Sequence, residues 1–163
     1  CHKYAMRNRE LIANMIMDKT SLTEIESFHT IHNYIDINEM ILRKGAISAR
    51  DGEKVLIPMN MKDGSILGIG KGNKEWNYSA PHGAGRILSR KQAREVLDIE
   101  EYKKSMEGIY TTSISIDTLD EAPQAYKSVE YILNIVKETV NVIEVLKPVY
   151  NYKEHKNETR NNK

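Results

Sequence analysis

The segment best suited to chemistry is Ala80-Pro81-His82-Gly83-Ala84-Gly85-Arg86, a histidine flanked by small residues at the end of a glycine-rich stretch. A neutral imidazole carries a ring lone pair that can attack phosphorus. It can then hold a phosphoryl or nucleotidyl group covalently, which divides one hard transfer into two easier ones. Gly83, Ala84 and Gly85 would let the backbone approach a phosphate closely, and exposed amides at the start of a following helix would favour its negative charge. Arg86 is placed to offset charge in the transition state. A loop histidine with a purely structural role has the same local signature, and spacing alone does not separate the two.

Other residues invite paired readings. His32, in His32-Asn33-Tyr34, is either a metal ligand or a strand-end imidazole satisfied by backbone. Arg86, Arg90, Lys91 and Arg94 either grip RNA phosphates through charge and counterion release or form a solvated helix face. Gly68-Ile69-Gly70-Lys71-Gly72 superficially suggests a phosphate cradle. It lacks the Gly-Lys-Ser/Thr ending of a P-loop and precedes no clear helix, so it reads as strand followed by loop. His2, His29 and His155 are assigned no chemistry and read as structural or solvated.

The elements that must position these groups can be read from periodicity. Ala5, Leu11, Ile12, Met15 and Ile16 fall at helical spacings from Tyr4 to about Met17. Ser21-Leu22-Thr23-Glu24 has capping-box spacing and predicts a short second helix. Alternation at Ile31, Asn33, Ile35 and Ile37, then within Val55–Pro58 and Ser65–Ile69, predicts strands, with Asp51-Gly52 and Asp63-Gly64 supplying turns. Lys71 to Gly85 shows neither period and reads as an irregular loop, of a length that is uncommon unless functional. Arg86 to Leu97 reads as a helix, and Asp98-Ile99-Glu100-Glu101 as the start of another. Ser128 to Val142 reads as a longer amphipathic helix with Val129, Ile132, Leu133, Val136 and Val140 on its inner face. The fold class expected is α+β, a strand-rich middle with flanking helices.

With 163 residues and 40% apolar composition, one domain with a sizeable core is expected over residues 1–153, followed by a polar, disordered tail at 154–163. The 24 basic and 23 acidic side chains nearly cancel, so no global field advertises an acidic partner and any such contact must be local. Cys1 is the only cysteine, which excludes a disulfide framework and a thiolate-rich zinc site and makes the cytoplasm the default compartment. No apolar run approaches the roughly 20 residues of a membrane span. The chain opens at Cys1 inside a helical pattern, so a fragment of a longer protein is expected.

A longer pattern then surrounds His82. Gly70-Lys71-Gly72-Asn73, Trp76-Asn77-Tyr78-Ser79-Ala80-Pro81-His82-Gly83-Ala84-Gly85-Arg86 and Ser89-Arg90 together resemble the signature around the guanylylated histidine of RtcB-type RNA ligases. His2-Lys3-Tyr4-Ala5 with Asn8-Arg9, His32-Asn33-Tyr34, Arg43-Lys44-Gly45-Ala46, Ile57-Pro58 and Tyr152-Lys153 are similar to further family segments in the same order. The resemblance covers nearly the whole chain and corresponds to the C-terminal part of a typical member.

The resemblance implies that His82 bonds covalently to GMP, with Gly83, Ala84 and Gly85 lining the nucleotide. His32 is similar to a metal-binding histidine, and Asn33 to a neighbour that contacts the nucleotide. Pro58, Met59, Asn60, Met61 and Ser65 match a loop that holds the guanine nucleotide, with Met59 and Asn60 departing from its commoner residues. Lys153 matches a lysine that reaches the base. The implied activity is joining of RNA 3′-phosphate or 2′,3′-cyclic phosphate ends to 5′-hydroxyl ends, with GTP and Mn2+, in tRNA splicing or RNA repair. Broken RNA ends such as tRNA halves are the implied partner; the need for an activating protein stays open. The family's other metal ligands lie in upstream segments that this chain does not contain, and one histidine cannot hold a catalytic ion that needs about three protein ligands. A non-catalytic nucleotide- and RNA-binding fragment is therefore the alternative.

Overall fold

The computed structural model describes residues 2–153; Cys1 and the expected polar tail at 154–163 lie outside them. The chain divides into two compact units, 1–30 and 31–163. In the first, α1 (His2–Thr20) forms a helix somewhat longer than its apolar spacing predicts, through a stretch free of proline and glycine. Lys19 in its last turn suits the negative end of the helix dipole. The short helix expected after Ser21 is absent, because Ser21 adopts a left-handed φ of 54° that terminates α1. The Glu24 carboxylate accepts instead from Ser27 Oγ at 2.8 Å.

In the second unit, two three-stranded antiparallel sheets carry the structure. One has the order β1-β2-β5, with β1 His32–Asp36, β2 Ile41–Ser48 and β5 Ser79–Pro81. The other has the order β3-β4-β6, with β3 Lys54–Pro58, β4 Ser65–Gly70 and β6 Val140–Leu146. The Asp63-Gly64 turn closes the β3–β4 hairpin, as predicted, whereas Asp51-Gly52 links strands of different sheets. Alternating burial along β3 and β4 sends Val55, Ile57 and Ile66 into a core shared with Ile47, Ala49, Ala80, Ala84, Ile132 and Val136. Each fully buried aliphatic side chain there contributes about 1.5–3 kcal/mol. A second core gathers Met61, Tyr102, Met106, Leu119 and Ala122 around α3 (Ile99–Ser105), which Asp98 caps by accepting from the amides of Glu100 and Glu101.

Two predicted helices are shorter than expected. α2 spans Arg90–Val96 and starts at a Ser89 capping box, in which Ser89 Oγ accepts from the Gln92 amide and Gln92 Oε1 accepts from the Ser89 amide. Arg86 instead lies in an extended bridge with Tyr126. α4 covers only Val129–Val136, and the run from Val140 continues as β6. Val140, Val142 and Val145 are β-branched and pair with Gly70, Gly68 and Ile66 of β4, which overrides the helical spacing. Lys71 to Gly85, read as irregular, holds a 3-10 turn at Lys74–Trp76 and the short β5. No helix among the described residues is long and apolar enough to cross a membrane.

Candidate functional site

His82 follows β5 directly and sits exposed beside the central strand β2. Its Nδ1 lies 2.7 Å from the Gly45 carbonyl oxygen. A carbonyl only accepts, so Nδ1 carries the proton and Nε2 of the neutral ring keeps a free lone pair. In that tautomer Nε2 is the nitrogen able to act as a nucleophile. Gly45 is itself held by Asn33, whose Oδ1 accepts from the Gly45 amide at 2.7 Å. Asn33 reaches it from an irregularity in the β1–β2 register between His32 and Tyr34, where its φ is 59°. The same irregularity stacks the His32 ring on His82, with centroids 4.9 Å apart and planes 24° apart. Sequence reasoning found His82, His32 and Asn33. It assigned nothing to Gly45, whose contribution is main-chain only and arises 37 residues away.

The helix-start anion site expected next to His82 is not there. Gly83 to Ser89 separates His82 from α2, whose Gln92 amide is engaged by Ser89 Oγ. The cations read either as an RNA grip or as a solvated helix face lie beside carboxylates, with Arg90 and Lys91 largely exposed. Arg94 Nη2 lies 3.0 Å from Asp120 Oδ1, Arg90 reaches Asp120 and Glu121 at 3.7 and 3.9 Å, and Lys91 pairs with Glu95. Asp120 and Glu121 thus tie α2 to the segment that follows α3.

Arg86 is not free for a phosphate either. It donates to the Leu88 carbonyl, to Tyr126 Oη at 2.9 Å and to the Asp120 carbonyl. Tyr126 Oη in turn donates to Glu121 Oε2 at 2.9 Å, and Lys153 Nζ lies 3.2 Å from the same oxygen. A continuous polar chain therefore runs from the His82 segment through Arg86, Tyr126 and Glu121 to Lys153. It opens on a cavity of about 470 Å³ lined by Arg90, Arg94, Asp117, Thr118, Glu121 and Lys153 among others.

Comparison with known proteins is decisive at this point, because a profile of the tRNA-splicing ligase RtcB family matches residues 1–154. The chain belongs to the RtcB family. The RNA-splicing ligase RtcB of Escherichia coli strain K12 is 29% identical over 90% of this chain and 40% of its own length. The tRNA-splicing ligase RtcB of Thermococcus kodakarensis is 29% identical over 90% of this chain and 38% of its own length. That of Aeropyrum pernix is 37% identical over 52% of this chain and 18% of its own length. The chain therefore spans well under half the length of these relatives.

The RtcB-matched loop from Pro58 to Ser65 adjoins the His82 segment through Pro58, whose carbonyl accepts from the Ala84 amide at 3.1 Å. Gly83 packs on the same carbonyl. The Met59 and Met61 side chains are buried in the two cores, so the backbone is what they offer a ligand. Asn60 organises the turn: Oδ1 accepts from the Lys62 and Asp63 amides, and Nδ2 donates to Asp63 Oδ2. Ser65 opens β4, paired with Pro58 and Leu146.

For the metal ion that the sequence resemblance implies, His32 is the one imidazole matched to a ligand position. Among the described residues no group of three histidine, cysteine, aspartate or glutamate side chains is arranged to hold an ion. His32 alone does not make a divalent site, which needs about three protein ligands.

The polar chain has a titratable signature. Burial, then the Glu121 charge and the hydrogen bond to it, push the Tyr126 phenol up to about 12. The folded state therefore favours the neutral phenol. This contribution to stability is fully present below the ordinary tyrosine value near 10 and is lost as pH rises from there through about 12. In a tyrosinate absorbance titration, the difference between the parent and Tyr126→Phe is expected to show one phenol ionising well above pH 10. A difference curve with an ordinary tyrosine midpoint would contradict the buried network.

Proposed function

We propose that this chain carries the nucleotide-accepting centre of a GTP-dependent RNA ligase, with His82 as the residue that receives GMP. The observation that supports it most is the Nδ1–Gly45 hydrogen bond, which leaves Nε2 as the nucleophile. In the first step Nε2 bonds to the α-phosphorus of GTP while the bond to pyrophosphate breaks. The RNA 3′-phosphate then takes GMP from His82, breaking the N–P bond and restoring the imidazole. The 5′-hydroxyl oxygen finally attacks the activated 3′-phosphorus, releasing GMP and a proton; a 2′,3′-cyclic end first requires opening by water. Asn33, through Gly45, keeps the ring in the reactive tautomer, and Pro58 with Gly83 and Ala84 fixes the backbone beside it.

Broken RNA ends, tRNA halves among them, are the proposed substrate, in cytoplasmic tRNA splicing or RNA repair. Imidazole and phosphate oxygen suit Mn2+ as the accompanying ion, with His32 as one ligand. The absence of a three-ligand cluster among the described residues favours a second reading, a nucleotide- and RNA-binding fragment without turnover. Incubating the full-length protein with GTP labelled at the α-phosphate and Mn2+ decides between them. The expected product is an acid-labile adduct whose labelled peptide contains His82. GTP binding without any adduct would overturn the ligase reading and leave the binding one.

A further inference from the structure

Arg43 is the largest fully buried side chain in the protein, 1% exposed on the central strand β2. A charge so far from water must be neutralised and hydrogen-bonded. Its Nε donates to Ser79 Oγ at 3.0 Å and its Nη1 to Tyr34 Oη at 3.0 Å. Nη2 faces the carbonyls of Asn77 and Tyr78 at 3.2 and 3.4 Å, and Asp36 Oδ2 lies 3.7 Å from Nη1. Three of these acceptors belong to Asn77, Tyr78 and Ser79, the residues that lead into β5.

That entry is conformationally demanding. Asn77 and Tyr78 are consecutive non-glycine residues with φ of 49° and 52°, a left-handed pair that persists only when its surroundings enforce it. The strand that follows is three residues long, registered as Ser79 on Ser48, Ala80 on Ile47 and Pro81 on Ala46, and His82 comes next. Arg43 and Gly45 lie two residues apart on β2. The guanidinium that clamps the entry to β5 and the carbonyl that receives His82 Nδ1 are therefore parts of one rigid strand. A lysine offers three donors from a single point and cannot reach this spread of acceptors.

We propose that Arg43 is a positioning residue for His82: its buried fork locks the left-handed Asn77-Tyr78 step and Ser79, and so sets where the imidazole meets Gly45. This rests on His82 being the GMP acceptor for its catalytic consequence, but the placement of the ring is testable without it.

The test uses full-length protein with 15N-labelled histidine, as parent, Arg43→Lys, Ser79→Ala and Tyr34→Phe, each checked for folding by thermal melt. At mildly alkaline pH the parent His82 ring is expected to give the nitrogen shifts of a single Nδ1–H tautomer. Arg43→Lys is expected to show both tautomers in exchange. The rate constant for adduct formation, counted per active protein, should fall about 100-fold in Arg43→Lys, the scale of a displacement of about 1 Å. Ser79→Ala should lose less. The GTP concentration at half-saturation should change little, since the Pro58–Ser65 loop is untouched. A merely structural Arg43 would lower the melting temperature while leaving the tautomer and the rate constant of the folded fraction as in the parent, and that result overturns the proposal. If the parent forms no adduct, the ligase reading fails, yet the tautomer comparison still decides whether Arg43 places His82. If Arg43→Lys does not fold, Ser79→Ala and Tyr34→Phe each remove one bond of the fork, and unchanged His82 shifts in both would equally overturn it.

Discussion

His82→Ala is expected to remove the covalent nucleotide adduct, lowering its rate of formation by at least about three orders of magnitude, as loss of a nucleophile does. Stability should change by about 1 kcal/mol, because the ring is exposed and the substitution gives up one side-chain hydrogen bond, to Gly45, and the stacking on His32. The informative comparison is His32→Ala, which removes the stacked neighbour 4.9 Å away and leaves the Gly45 bond in place. Intact-protein mass spectrometry after incubation with GTP and Mn2+ reads both. If His82→Ala still acquires the nucleotide while His32→Ala does not, the assignment of the nucleophile is wrong.

A second large effect is expected at Gly64, in the turn of the β3–β4 hairpin. Its φ is +81°, and a Cβ there would run into the Leu146 carbonyl, 3.0 Å from the carbonyl carbon and closer still to the oxygen, with Pro148 Cδ at 3.2 Å. The obstacle is mainly the backbone of β6, which cannot turn aside as a flexible side chain would. Gly64→Ala should therefore cost about 3–5 kcal/mol, combining left-handed strain with a forced shift of β6. Gly52→Ala is the control: its φ is +76° with nothing within 4 Å, so only the conformational penalty of about 1 kcal/mol remains. Urea midpoints at constant slope provide the comparison. Equal losses at the two positions would show that β6 does not crowd the turn.

The α+β class and the strands at β1, β3 and β4 were legible because their apolar alternation is local and bounded by turn residues. The helices after His82 and Ser128 were overextended for two separate reasons. At Ser89 a capping box lies inside an otherwise helix-compatible run, and only the bridge from Arg86 to Tyr126 reveals which signal governs. At Val140 the spacing of apolar residues suits both periods, and pairing with β4 decides for strand. At the site, imidazoles and an amide carry their chemistry in their side chains, so His82, His32 and Asn33 stood out. Gly45 acts through a carbonyl and Arg43 through a fork that closes on residues more than thirty positions away. Neither relation leaves a trace in local spacing. Arg86, by contrast, stood out for its charge, and the structure turns that charge inward to Tyr126 and the 120–121 segment.

The bond from the Ala84 amide to the Pro58 carbonyl ties the segment after β5 to the end of β3. Pro58 ends β3, which is followed by the turn into β4, while Ala84 lies two residues beyond His82. Under the proposed function, ligand occupancy at the turn and reaction at the imidazole would be coupled through this bond, and such coupling is reciprocal. Whatever free energy a base seated by the turn contributes to ordering the histidine, a phosphate held at the histidine returns to base affinity. Discrimination between purine nucleotides would then be readable in the rate of transfer as well as in binding.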